Sequence, residues 1–332
     1  MNNINNLINN NVDIKEKKYA LILGEVPSKG ARSPALWNKA YKKINKNIKM
    51  YPADISPKNL SKVLNFLKKS NNYIGGSVTA PYKEKIIKFL DKIDKDSKKI
   101  GSINTIIKKK KKLLGFNTDY LGCLETLKNI PLKKKNILII GCGGAGKACI
   151  VAALNHYKDC NFFIFNRNLK KIKIFIKEIK IKHNRVKVLK NYEQLLGLKK
   201  MNLVINTSSV GFNSWINRKN KYLNLKFFSP LCDLRKIKMT KTKNSSNFQK
   251  INKKIITNSI SNTAYFYKNN KTAFVFDIIY NPQKTLLLKL SEFNRNKLFN
   301  GLLMNLMQAV QGFMLVNKVK SLNKVKIYKA MK

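Results

Sequence analysis

Asn136-Ile-Leu-Ile-Ile-Gly-Cys-Gly-Gly-Ala-Gly146 is the stretch on which the reading of the fold turns. Asn136 to Ile140, apolar from Ile137 on and stopped by glycine, reads as a buried strand; the Ala-rich run after Gly146 reads as a helix. A second apolar strand follows at Asn161 to Phe165. Strand, helix and strand in that order form a βαβ unit, which implies a parallel sheet. Gly141, Gly143 and Gly146 satisfy G-x-G-x-x-G at the strand-to-helix turn, the context that gives the pattern meaning. Without Cβ atoms the turn can be tight and its backbone can approach a pyrophosphate, met by the amides of Gly143, Gly144, Ala145 and Gly146 and by the helix N-terminus.

The end of the next strand decides which dinucleotide the turn suits. An acidic side chain there would bond the adenosine ribose hydroxyl of NAD. The chain instead reads Asn166-Arg167-Asn168, followed by Lys170 and Lys171. A guanidinium and ammonium groups attract a 2′-phosphate, so NADP is the expected cofactor, with Arg167 carrying more weight than the lysines of so lysine-rich a chain.

Working outward toward the N-terminus, strand and helix alternate again: a strand at Tyr19 to Leu23, helical spacing from Ser56 to Leu67 with Ser56 as N-cap, a strand at Tyr73 to Val78, and a hairpin within Ile103 to Leu114. This is a second α/β domain. Residues 1–17 are Asn-rich, lack a signal-peptide apolar core and any Arg, and are expected to be a disordered tail. Toward the C-terminus come strands at Asn202 to Asn206 and Ala273 to Asp277, separated by a Lys/Asn-rich insertion at 213–271 expected to be exposed and mobile. A helix from Gly301 to Val316 closes the pattern.

The 332 residues carry 68 Lys and Arg against 16 Asp and Glu, a formal charge of +52. The lysines are spread along the whole length among abundant Asn and Ile, a pattern of codon drift, with no module of Arg forks or aromatic platforms. No specific nucleic-acid partner and no membrane partner is expected, since no apolar run nears the ~18 residues of a spanning helix. A cytoplasmic protein, monomer or homodimer, is expected. The five cysteines show no CxxC pair and no histidine-spaced set, so neither metal nor disulfide is expected.

In order along the chain, further segments stand out: Ser77-Val-Thr-Ala-Pro-Tyr-Lys83, Gly101-Ser-Ile-Asn-Thr105, Gly115-Phe-Asn-Thr-Asp119, Val204-Ile-Asn-Thr207, Asp277-Ile-Ile-Tyr-Asn-Pro282, and Gly301-Leu-Leu-Met304 with Gln308. Together with the glycine turn, this series closely resembles the shikimate dehydrogenase family, from about Gly24 to Phe313. The resemblance implies an α/β chain of two domains: an N-terminal α/β substrate-binding domain, residues 18–120 completed by 301–330, and a Rossmann-like NADP-binding domain, residues 121–300, with the active site in the cleft between them. The implied activity is reduction of 3-dehydroshikimate to shikimate with NADP.

The resemblance also assigns roles. Lys83 would donate to the developing alkoxide, and Asp119 would orient it, share its proton and hold a substrate hydroxyl. Ser33, Thr79, Asn104 and Gln308 would hydrogen-bond the ring hydroxyls and carboxylate, with Tyr280 near the carboxylate. Asn117, Asn206 and Gly301 would lie near the substrate or nicotinamide edge, although Asn and Gly serve more often as turn or cap residues. The chain departs from the family's pattern at Ala31, where a second serine is usual, and at Ser77, where asparagine is usual. The nearest rival is a quinate/shikimate dehydrogenase using NAD; a basic, non-catalytic nucleic-acid-binding protein is the alternative from another class.

Overall fold

A computed structural model describes residues 4–179, 183–218, 221–233, 246–270 and 274–332. The chain divides into two compact units, one running through Glu125 and resumed by Met304–Lys332, the other Thr126–Leu303.

The first unit is a mixed six-stranded sheet. Its strands are β1 (Lys18–Gly24), β2 (Ile48–Asp54), β3 (Tyr73–Val78), β4 (Lys92–Ile93), β5 (Thr105–Lys109) and β6 (Lys112–Phe116), in the order β2-β1-β3-β5-β6-β4. β1 lies parallel to β2 and β3, whereas β5 is antiparallel to both β3 and β6. Alternation along β1 builds both faces of the core. Tyr19, Leu21 and Leu23 join α2 (Leu60–Lys69) residues such as Val63 and Leu67; Ala20 and Ile22 join α1 (Ser33–Lys43) and the C-terminal helices. On that second face Trp37 stacks edge-on against Phe313, 5.4 Å between ring centroids, and donates to the Ala309 carbonyl at 3.1 Å.

The expectation of a disordered tail does not hold for residues 4–17. Ile4, Ile8 and Val12, four residues apart, are buried against Tyr51, Ile55 and Leu60. The asparagines supply bonds rather than disorder: Asn10 donates to the Pro52 carbonyl and accepts from the Asp54 amide, so the segment covers the edge strand β2. The helix expected from Ser56 begins at Leu60, after a turn closed by the Asn59 amide on the Ser56 carbonyl, and Asn59 donates its side chain to the Leu7 carbonyl at 3.1 Å.

The second unit is an all-parallel sheet of β7 (Asn136–Ile140), β8 (Asn161–Phe165), β9 (Val186–Leu189), β10 (Met201–Asn206), β13 (Phe274–Asp277) and β14 (Lys297–Phe299), ordered β14-β13-β10-β7-β8-β9. Read from the other edge this is the doubly wound order 3-2-1-4-5-6, with its switch point between β7 and β10. β7 is buried along Ile137–Ile140, as a strand covered on both faces must be. The helix α6 (Gly144–His156) follows it, and α7 (Leu169–Glu178) follows β8.

Within 213–271, residues 219–220, 234–245 and 271 lie outside the described residues, as does Ala273 of the expected strand. The described remainder is folded into regular elements. It holds the hairpin β11 (Trp215–Arg218) and β12 (Lys221–Asn224), and the 23-residue helix α9 (Ser246–Lys268). Ile255, Ser259, Thr263, Phe266 and Tyr267 are buried at helical spacing, and Phe266 and Tyr267 enter the sheet's core. No helix among the described residues is long and apolar enough to cross a membrane.

Candidate functional site

In the first unit the sheet's carboxyl ends gather a row of polar side chains. Lys83 lies on the short helix α3 (Tyr82–Lys85), one turn beyond β3; Asp119 opens α5 (Asp119–Leu127), directly after β6. Lys83 Nζ donates to Asp119 Oδ2 at 2.6 Å, with side chains 18% and 5% exposed. The other carboxylate oxygen accepts from Asn104 Nδ2 at 3.0 Å, so the acid is fixed from behind while the ammonium stays accessible. Asn104 sits at the mouth of β5, its backbone shared between Val78 and Phe116, and its amide also reaches Gln308 Oε1 at 3.1 Å and Thr118 Oγ1 at 3.0 Å. Two hydrogens are thus shared among three acceptors. Thr118 locks the group by donating its amide to Asn104 Oδ1 and its hydroxyl to the Gln308 carbonyl.

The remaining expected substrate residues of this unit are Thr79, directly after β3, and Ser33, at the start of α1. Thr79 is half-buried and donates its amide to the Leu23 carbonyl, and its methyl rests where a Cβ on Gly24 would stand. Ser33, 5% exposed, is the first residue of α1, next to Arg32, whose Nη1 donates to Asn305 Oδ1 at 3.2 Å. Asn117 caps α5, accepting from the Tyr120 amide, and donates to the Ser102 carbonyl. Ser77 is buried within β3, its backbone in register with Ile22 and Thr105.

In the second unit the glycine turn sits at the switch point. Gly141 has φ +111°, a conformation that L side chains rarely adopt, and a Cβ there would stand 2.8 Å from Thr207 Oγ1. Gly146 meets the same hydroxyl, at 2.7 Å from its own notional Cβ. Thr207 holds the turn by donating to the Ile140 and Gly141 carbonyls at 3.0 and 3.1 Å. Gly143 is exposed with nothing within 4 Å of a Cβ position, and Gly144 and Ala145 are half-buried in the first turn of α6, whose leading amides lack intrahelical partners. Open space before unpaired amides is what a pyrophosphate requires, so the turn fits a dinucleotide.

Asn166 and Arg167 lie just past Phe165, which pairs with Ile140 and accepts from the Gly141 amide, so they flank the turn. Arg167 is exposed, Asn166 donates to the Asn168 carbonyl, and Lys171 lies in the first turn of α7, its amide accepted by Asn168.

Asn206, expected near the substrate or nicotinamide edge or else as a turn residue, ends β10. It is fully buried and its amide is spent inside the fold: Nδ2 donates to the Val210 carbonyl and Asp277, and Oδ1 accepts from the Ser208 amide and hydroxyl. Gly301 is buried against the end of β13, where a Cβ would stand 1.9 Å from the Ile278 carbonyl oxygen. Tyr280 is half-buried, edge-on to Phe212 at 6.2 Å.

Thr118, Thr207 and Asp277 are the structural members of these clusters that carried no assigned role from the sequence, although each sits inside a quoted motif. Asp277 is fully buried and accepts from Thr285, Asn206 and the Ile279 amide; burial pushes its carboxyl up to about 7, outweighing those three donors. No group of His, Cys, Asp and Glu that could hold a metal occurs among the described residues, and all five cysteines are buried free thiols.

A glycine turn open to a phosphate at the switch point of one unit, and a hydrogen-bonded lysine–carboxylate pair in the other, fit the class of nicotinamide-dependent oxidoreductases. The family described as shikimate dehydrogenase substrate binding domain matches residues 24–106. A protein named shikimate dehydrogenase (NADP(+)) from Methanococcus maripaludis is 33% identical over 306 residues, 91% of either chain. Another of that name from Carboxydothermus hydrogenoformans is 29% identical over 300 residues, 90% of this chain and 91% of its own. The crystal structure of shikimate dehydrogenase from Aquifex aeolicus superposes with a TM-score of 0.67 at 26% identity, covering 96% of this chain and 99% of that one. A shikimate dehydrogenase crystallised in complex with NADP+ gives 0.67 at 27% identity over 96% of each chain. The chain belongs to the shikimate dehydrogenase family.

Proposed function

We propose that this chain catalyses the reversible, NADP-dependent reduction of 3-dehydroshikimate to shikimate, a step of chorismate and aromatic amino acid biosynthesis. The observation that carries the reading is the 2.6 Å contact of Lys83 with an Asp119 fixed by Asn104, in a chain of this family. NADP, when bound at the glycine turn, supplies the hydride in reduction and accepts it in oxidation. Lys83 holds the ring oxygen with its ammonium, stabilises the negative charge that develops there, and passes it a proton. Asp119 keeps the ammonium aimed and accepts from a neighbouring ring hydroxyl.

Asn104 and Gln308 read the remaining hydroxyls, and Ser33 and Thr79 border the ring, with Tyr280 on the carboxylate side. A ring lacking one of those hydroxyls leaves a buried partner unpaired, at about 1–3 kcal/mol, which is the basis of selectivity. Gly141, Gly143, Gly144, Ala145 and Gly146 cradle the pyrophosphate, while Asn166, Arg167 and Lys171 receive the 2′-phosphate. Asn206 and Gly301 serve the nicotinamide end by setting the backbone around it. The working form is a cytoplasmic monomer or homodimer.

The test is oxidation of shikimate followed by nicotinamide absorbance, with NADP and NAD in parallel and quinate as the competing substrate. Turnover of shikimate with NADP supports the reading; preference for NAD or quinate moves it to the quinate/shikimate enzymes. A folded protein that binds NADP and turns over neither acid refutes it.

A further inference from the structure

The loop between β1 and α1, residues 25–32, delivers Arg32 and Ser33, yet its own sequence, Glu25-Val-Pro-Ser-Lys-Gly-Ala-Arg32, has little to hold it in place. Its internal bonds are short turns, Lys29 amide to the Val26 carbonyl and Ala31 amide to the Pro27 carbonyl. An anchor comes from Asp54 at the end of β2. The two oxygens of that carboxylate accept from Ser28, its amide at 2.9 Å and its hydroxyl at 2.5 Å. Asp54 is 6% exposed, and among the described residues no cation forms an ion pair with it, although the chain carries 68 Lys and Arg. A carboxylate buried in so basic a chain and spent on one serine is spent on where that serine sits.

Asp54 is itself held from outside. Its amide donates to Asn10 Oδ1 at 2.7 Å, its carbonyl accepts from the Asn9 amide, and Asn10 Nδ2 donates to the Pro52 carbonyl. Farther along the same segment Glu16 accepts from Tyr51 of β2 at 2.5 Å. We infer that Asp54 and Ser28, backed by the N-terminal segment through Asn10, form a clamp that positions the loop carrying Arg32 and Ser33. Asp54 is then a positioning residue for substrate binding, and residues 4–16 belong to the substrate-binding machinery. The inference rests on the proposed function for its kinetic consequence, not for the clamp itself.

The test uses the full chain with Asp54→Asn, Ser28→Ala, Ser28→Thr and Asn10→Ala. Asp54→Asn, Ser28→Ala and Asn10→Ala are expected to raise KM for shikimate about threefold to tenfold, with kcat and KM for NADP within about twofold. Ser28→Thr, which keeps the hydroxyl, is expected to restore KM, and combining Ser28→Ala with Asp54→Asn to add little to either alone. Hydrogen exchange of amides 28–33, faster in Asp54→Asn than in the parent, reads the clamp without substrate. Unchanged exchange overturns the inference whether or not the parent is active. A fall in thermal stability with KM unmoved in an active parent overturns it as well, leaving a purely structural contact. A parent that exchanges as expected and turns over no shikimate refutes the proposed function and leaves the clamp standing.

Discussion

Lys83 stands in a chain where lysine is commonplace, and its setting sets it apart. Its partner is one of only 16 acidic residues, 5% exposed and already held by an asparagine. Removing the ammonium by Lys83→Ala is expected to lower kcat by about 10²–10⁴, the range of general acid–base catalysis, with NADP affinity within about twofold; stopped-flow turnover beside a fluorescence titration of NADP checks it. An equal loss of cofactor affinity would contradict the assignment of Lys83 to chemistry. Arg167 makes the complementary case. It is exposed beside the turn, so Arg167→Ala is expected to cost little stability, while loss of a charge-assisted bond of about 1.5–3 kcal/mol raises KM for NADP roughly tenfold or more and leaves KM for NAD unchanged.

Among elements, the joint between β10 and β13 holds a buried carboxyl whose ionisation burial opposes. Asn206 and Asp277 end adjacent parallel strands in register, and Thr285 and Ile279 close the carboxylate from its far side. With the folded carboxyl raised to about 7 from an ordinary 3.8, the folded chain keeps a proton that the unfolded chain has lost between those values. The stabilisation is therefore complete below the ordinary value and is lost as pH rises through about 7. Asp277→Asn removes this dependence: its melting temperature is expected to change less than the parent's between pH 5 and 8, a difference of order 1–4 kcal/mol over the full range, read by calorimetry. A parallel shift of both proteins with pH would show that Asp277 is ionised in the fold.

At the scale of the whole molecule, +52 is a large self-repulsion for 332 residues. Raising sodium chloride from about 0.01 M to about 0.3 M shortens the screening length from roughly 30 Å to less than 10 Å, so stability is expected to rise by about 1–2 kcal/mol, or roughly 2–8 °C in melting temperature. A melting temperature indifferent to salt would mean that the lysines are already spaced beyond effective repulsion.

Local sequence was sufficient for the strands β3, β7 and β8, read with the same limits as the structure, because a short apolar run bounded by glycine or polar residues has few other uses. It also picked out the glycine turn, the basic residues after β8, and Lys83, Asp119, Asn104 and Gln308, four side chains that the structure joins by hydrogen bonds, since each lies in a short motif whose residue types are readable without the fold. Only the tertiary structure decided what the Asn-rich segments do. Asn10 and Asn59 carry no apolar signal, and their hydrogen-bond partners, Asp54, Pro52 and Leu7, are 42 to 52 residues away in sequence. The same holds for α9, whose buried face is built of Ser259 and Thr263 beside Ile255 and Phe266. Composition averages over a segment, whereas burial depends on which few of its side chains find a partner, and that pairing exists only once distant parts of the chain have met.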